Sequence, residues 1–254
     1  MNHSSETGSA ETPDESVTRY SGSIENELIA AAGQADRDPV VAVHSVRKLL
    51  KKYRALLKLV KGCSSGIDPE RANHFLRDLG RNFSQLRDAH VRSETLSLLA
   101  ATNLLPSCRD LISELLKENQ RTIDQLEHKV IDEDQHFDTL KADLTSDNPV
   151  QSFIESLNTD SKCLIAGLSE TYAKCHRLYL ELHNQKNAEL LHEWRKRIKD
   201  LQHQHEMVSA LLPSDLFAAS ENIDPLTERL GRDQDLNNLR LWINQDGVSQ
   251  NHSV

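Results

Sequence analysis

The chain has 254 residues and a formal net charge of −9 at pH 7, from 30 lysines and arginines against 39 aspartates and glutamates. Its apolar content of 37% is enough for a sizeable core, and no apolar run approaches the roughly 18 residues that a membrane span requires. With only nine glycines and seven prolines among long runs of helix-forming residues, the composition predicts an all-α protein.

Signals for export and for cysteine chemistry are weak. Residues 1–23 are polar and acidic and lack the basic-then-apolar order of a signal peptide, so we predict a disordered N-terminal tail there. The cysteines show no CxxC spacing, which favours neither a disulfide framework nor a zinc site. A soluble cytoplasmic protein in a reducing compartment is expected. The four cysteines are Cys63, Cys108, Cys163 and Cys175.

Apolar residues recur at helical spacing in seven segments, some of which are expected to break in two. Proline marks several of the joins, because it fits the first turn of a helix but not its interior. After the last segment, residues 247–254 are expected to form a flexible C-terminus. The segments cover approximately 24–34, 39–61, 69–102, 107–143, 149–184, 187–212 and 215–246.

The second segment carries a cationic stripe opposite an apolar face. Between His44 and Lys61 there are seven cations and no acid, and most of them lie within about 80° of His44 on a helical wheel. Like charges one turn apart repel by a few tenths of a kcal/mol per pair, so the stripe is mildly unfavourable without an anionic partner. A solvated basic face is the alternative. The stripe consists of His44, Arg47, Lys48, Lys51, Lys52, Arg54 and Lys58.

The spacing H-x-x-R-K-x-x-K occurs a second time, at His192, Arg195, Lys196 and Lys199. An aspartate follows each copy at a similar distance, Asp88 after the first and Asp235 after the second. This repeat predicts two duplicated halves, at about 24–145 and 146–246, related by a pseudo-twofold axis. The two stripes would then occupy equivalent positions.

With these motifs in this order, the chain resembles the CHAD domain family, named for conserved histidines in an α-helical domain. The resemblance covers about residues 24–246. It implies paired four-helix bundles around a basic central cavity that binds inorganic polyphosphate. The matching motifs are VHSVRKLLKKYRALLKLV, FLRDLGRNFSQLRDAHV, GLSETYAKCHR, LLHEWRKRIKDL and LGRDQDL.

The resemblance implies polyphosphate contacts from both stripes and from basic residues between them. Those between the stripes are Arg77, Arg81, Arg87, Lys174 and Arg177. Arg87 would reach the site only if its helix kinks near Gly80. His203 joins the set because it lies on the cationic arc of its own helix.

Some residues of the motifs are expected to have roles other than contact with polyphosphate. Asp200 and Gln202 stand where many family members have further basic residues, and Ala173 replaces a cation, so the second half should contribute less charge. The two aspartates of the repeat are expected to orient cations. For His44 and His192, a buried structural role is the alternative to ligand contact.

Three other functions remain open. The string HSVRK superficially permits a histidine phosphotransfer domain. The stripes also suit non-specific nucleic-acid binding, although 4% aromatic residues offer few stacking platforms and the net acidity repels large polyanions. Polyphosphate turnover would need paired carboxylates or an activated nucleophile, which the motifs do not supply. We therefore predict a binding module that is not an enzyme, with polyphosphate and its granules as partners, no membrane, no cofactor and no metal.

Overall fold

The computed structural model describes residues 12–64, 66–102, 105–185, 187–209 and 223–245. These residues form α-helices with short connections and contain no β-strand, which confirms the predicted all-α class. The ten α-helices are α1 Pro13–Ala32, α2 Pro39–Val60, α3 Pro69–Arg81, α4 Ser84–Ala100, α5 Pro106–His128, α6 His136–Thr145, α7 Pro149–Glu155, α8 Ser161–Asn184, α9 Ala188–Ser209 and α10 Ile223–Gln245.

Four of the proline joins predicted from the sequence are confirmed as helix starts, at Pro39, Pro69, Pro106 and Pro149. Pro225 lies in the first turn of α10, and the predicted join at Pro213 lies outside the described residues. At the start of α2, the Asp38 side chain accepts a hydrogen bond from the Val41 amide at 3.0 Å, and Pro39 occupies the first turn. Asp68 and Asn148 cap α3 and α7 in the same way. A short polar side chain followed by proline satisfies free amides and sets the first φ angle, so each pair begins a helix.

Residues 1–23 do not form one disordered tail, because α1 begins at Pro13. A capping box starts the helix: the Thr12 hydroxyl accepts from the Glu15 amide, and the Glu15 carboxylate accepts from the Thr12 amide. Val17 is buried at 1% exposure, in line with the buried Ile24 further along the helix. The polar composition concealed this sparse apolar stripe. Residues 1–11 and the predicted flexible segment 247–254 lie outside the described residues.

The absence of a disulfide was predicted wrongly, since Cys63 and Cys163 are bonded to each other. The bond joins the segment after α2 to the first turn of α8, across a sequence separation of 100 residues. Local cysteine spacing carries no signal for such a pair, because tertiary packing alone brings the two residues together. The bond also removes the argument for a reducing compartment, which was based on unpaired cysteines, because disulfides persist mainly in oxidising compartments.

Helix α2 lies at the centre of the main core. Its apolar face is buried against α1, α3, α8 and α9. Gly167 shows how closely α8 approaches, because a Cβ atom there would collide with the carbonyl oxygen of Leu59. A smaller apolar cluster of Leu96, Ile112, Leu115 and Leu239 joins α4, α5 and α10. This packing holds the polar face of α2 in a fixed orientation.

In none of the described helices is a run both long and apolar enough for a bilayer crossing.

Breaking the disulfide should destabilise the protein without removing its helices. A disulfide typically contributes about 2–4 kcal/mol, so Cys63→Ser should lower the thermal midpoint by several °C. Circular dichroism melts of oxidised and reduced protein measure the effect. The matched control is Cys108→Ser, which removes an exposed free thiol. Equal midpoints for the oxidised, reduced and Cys63→Ser proteins would contradict a stabilising bond.

Candidate functional site

Cations from three helices meet beside the polar face of α2. The charges of Arg47, Arg195 and Arg87 all act on the Lys51 ammonium, and those of Arg195 and Lys48 act on Lys199. Both stripes of the repeat therefore contribute to one group, to which α4 adds Arg87. We call this group the central cationic cluster; it consists of Arg47, Lys48, Lys51, Arg87, Arg195 and Lys199.

Lys51 occupies the most strongly perturbed position of the cluster. Burial, followed by the charges of Arg47, Arg195 and Arg87, lowers its pKa to about 8, while Asp88 opposes the shift. The residue is nevertheless exposed to solvent, so many protein atoms surround an ammonium group that water still reaches. A cation with this environment is repelled by its neighbours and would be stabilised by an anion.

Two arginines of the cluster each have a buried hydrogen-bond donor that lacks an acceptor among the described residues. Arg47 donates through Nη1 to the carbonyl oxygen of Gly80, and Arg195 lies against Gly231. Within the described part of the chain, the buried Nε atoms of both arginines have no hydrogen-bond partner. A buried donor without an acceptor is costly, so an oxygen ligand or a water molecule at either position would be stabilising.

The two histidines of the repeat have different surroundings. His44 is exposed, and its pKa is lowered first by burial of the ring among protein atoms and then by Arg87, with Lys48 and Lys51 adding to the shift and Glu94 opposing it. The half-buried His192 donates from Nδ1 to Gln234 Oε1 at 2.8 Å. His44 is thus kept neutral beside the cluster, while His192 ties α9 to α10.

Acids lie among these cations, as the repeat predicted. Burial lowers the pKa of Arg47, and the charge of Asp88 opposes this shift, as it does at Lys51. The half-buried Asp235 has its own pKa raised by burial, against the opposing charges of Arg195, Arg87 and Lys51. Both carboxylates are therefore near enough to orient cations of the cluster.

The break between α3 and α4 explains why Arg87 belongs to the cluster. In an unbroken helix over 69–102, Arg87 would lie near the apolar arc. The structure ends α3 at Arg81 and begins α4 at Ser84, just after Gly80. With this break, the charge of Arg87 acts on Arg47 and Lys51 of α2. Its Nη1 also donates to Glu94 Oε1 at 3.2 Å.

Several stripe residues lie outside the central cationic cluster. Lys52 stacks over the ring of Tyr20, with its Nζ 4.9 Å from the ring centre. Lys58 forms an ion pair with Asp200 at 2.7 Å, and Arg54 donates from Nε to Asn73 Oδ1 at 2.9 Å. Their contact with polyphosphate stays a prediction.

The remaining predicted residues bind acids near them in sequence. These ion pairs are Arg77–Asp78 at 3.4 Å, Arg81–Asp78 at 3.0 Å, Lys174–Glu170 at 2.8 Å, Arg177–Glu181 at 3.8 Å and Lys196–Glu193 at 2.6 Å. His203 is buried, with Nδ1 3.7 Å from Glu206. None of these contacts joins the residues directly to a cation of the cluster.

Arg197 is a functional candidate that the sequence reasoning missed. Its Nη1 donates to Asp200 Oδ2 at 3.2 Å, and its charge acts on Arg54 and Lys58. Arg197 does not belong to the H-x-x-R-K-x-x-K spacing, so the repeat gives no signal for it. The packing of α9 against α2 places Arg197 near these two cations.

These features define an all-α protein whose cations from α2, α4 and α9 converge on one polar surface. The CHAD domain model matches residues 26–244, and the chain belongs to the CHAD domain family. A comparison with curated proteins returned no match.

The repulsion at Lys51 should be measurable without a ligand. Lys51→Met removes a charge that its neighbours disfavour, so at pH 7 and low salt it should raise the thermal midpoint by roughly 1–2 °C. Because the folded pKa is depressed to about 8, the penalty is present below pH 8 and fades between pH 8 and the unfolded value near 10.5. The gain should therefore shrink at pH 10 and at high salt. The exposed Lys117→Met is the control, and a pH-independent loss of stability in Lys51→Met would contradict the repulsion.

Proposed function

We propose that this protein binds inorganic polyphosphate through the central cationic cluster. The observation that carries the proposal is the approach of the two stripes: Lys51 of α2 is under the charge of Arg195, and Lys199 of α9 is under the charge of Lys48. This proximity supports a single site shared by the two halves of the repeat. Membership of the CHAD domain family supports the same ligand.

The chemistry of the cluster suits a flexible chain of phosphates. Each guanidinium can hold two phosphate oxygens, and each lysine supplies a compact positive charge. The unpartnered Nε atoms of Arg47 and Arg195 are further donors for oxygen. A bound polyanion would offset the repulsion between Lys51 and the neighbouring cations. Part of the binding free energy would therefore come from removing a repulsion that is present in the free protein.

We propose a binding module and not an enzyme. Glu94 accepts a hydrogen bond from Arg87, and Asp88 and Asp235 also lie among the cations of the cluster. We assign these three acids the role of orienting the cations. Binding of this kind would bring the protein to polyphosphate granules, which is the cellular association that we propose.

Neutralising either side of the cluster should weaken polyphosphate binding. We expect Lys48→Met/Lys51→Met and Arg195→Met/Lys199→Met each to lower the affinity at least tenfold. Each double variant should also flatten the plot of log affinity against log salt by up to about two units, because fewer counterions are released when fewer phosphate contacts form. Titrations with polyphosphate of defined length at two salt concentrations measure both quantities.

The control for these variants is Lys117→Met/Arg121→Met, which removes two exposed charges from α5 and should change the affinity little. An unchanged affinity and salt slope in Arg195→Met/Lys199→Met would exclude α9 from the site. Competition with single-stranded RNA of matched charge tests the nucleic-acid alternative, and stronger binding of the RNA would reject polyphosphate as the preferred ligand.

Polyphosphate affinity should fall as the pH rises above about 8. Free Lys51 loses its proton in this range, whereas a bound polyanion raises its pKa, so binding must take up a proton. Calorimetry at pH 8.5 in two buffers of different ionisation enthalpy measures this uptake. It should be absent in Lys51→Met, and its persistence there would assign the proton to another group.

A further inference from the structure

One carboxylate lies at the end of the α2 stripe and binds cations from two helices. Lys58 Nζ donates to both oxygens of Asp200, at 2.8 and 2.7 Å, and Arg197 donates to Oδ2 at 3.2 Å. The Asp200 side chain is only 13% exposed, so these contacts are made largely away from water. Such a carboxylate offers two oxygens to a pair of cations, much as a phosphate group would.

Further cations surround this pair. Burial lowers the pKa of Arg54, and the charge of Asp200 opposes this shift while those of Arg77 and Arg197 add to it. Arg54 is itself held by its hydrogen bond to Asn73 of α3. The Asp200 carboxylate therefore lies among cations that are held in place by residues of α2, α3 and α9.

The first copy of the repeat has a cation at the position equivalent to Asp200. Asp200 follows His192 by the same interval as Lys52 follows His44, so the second copy has an anion where the first has a cation. The consequence is visible along α2. The charges acting on Lys51 are mainly positive, whereas the strongest charge acting on Lys58 is that of Asp200.

We infer that Asp200 closes one end of the cationic stripe by occupying the position of a phosphate group, and so confines polyphosphate to the central cationic cluster. The inference rests on the proposed function and names the residue that limits the extent of its site. Lys58 lies seven residues beyond Lys51, about 10 Å along the helix. Freeing Lys58 and Arg197 would lengthen the cationic tract by that distance.

Asp200→Asn tests the inference, because it keeps the shape of the side chain and removes its charge. We expect the variant to bind long polyphosphate about tenfold more tightly than the parent, with a salt slope steeper by up to about two units. Adding Lys58→Met should reverse most of the gain. Tripolyphosphate should also raise the thermal midpoint of Asp200→Asn more than that of the parent.

Glu170→Gln is the matched control. Glu170 also accepts from two lysines, Lys61 at 2.7 Å and Lys174 at 2.8 Å, and the substitution changes the net charge equally. A general charge effect would strengthen binding in both variants alike. Equal affinities in Asp200→Asn and Glu170→Gln, with equal stabilisation by tripolyphosphate, would overturn the inference.

Two further outcomes separate the inference from the proposed function. If the parent does not bind polyphosphate, the proposed function fails, whereas selective stabilisation of Asp200→Asn by tripolyphosphate would still support Asp200 as a phosphate substitute. If the variant is partly unfolded, tripolyphosphate should restore its helical circular dichroism signal more than sodium chloride of equal ionic strength does. No selective stabilisation or restoration would reject the role of Asp200.

Discussion

The burial of the apolar face of α2 is the interaction on which the site depends. Tyr53, Leu56 and Leu57 on that face are at most 1% exposed, and each buried side chain of this size contributes about 1.5–3 kcal/mol. Repulsion between neighbouring cations on the opposite face costs only a few tenths of a kcal/mol per pair. Core packing is therefore strong enough to hold the cations together, and it fixes the direction in which they point.

Helix periodicity and proline position predicted most of the fold, because both act within a few residues. The start of α2 at Pro39 follows from Asp38 and the apolar pattern alone. The start of α1 did not, since its buried positions are separated by serine, glycine and glutamate. The Cys63–Cys163 bond was beyond sequence reasoning for a different reason: it depends on where α8 lies against α2.

For the candidate site, the sequence predicted which residues share a helix face but not which of them form ion pairs. A helical wheel placed Arg47, Lys48 and Lys51 on one face correctly, and the repeat indicated their counterparts on α9. Neither the helical wheel nor the repeat indicated which cations would form ion pairs with acids. The Lys58–Asp200 and Lys61–Glu170 pairs join different helices, so they follow from tertiary packing and not from spacing.

The net charge of −9 and the central cationic cluster act over different distances. At physiological ionic strength the Debye length is about 8 Å, so acids elsewhere on the surface are screened from a ligand already within the cluster. A rigid duplex presents charge over a broad surface and meets the surrounding acids as well. A narrow, flexible polyanion can place its charge within a few ångströms of Lys51 and its neighbours. The combination of an acidic exterior and a confined cationic site therefore favours the thin ligand over the wide one.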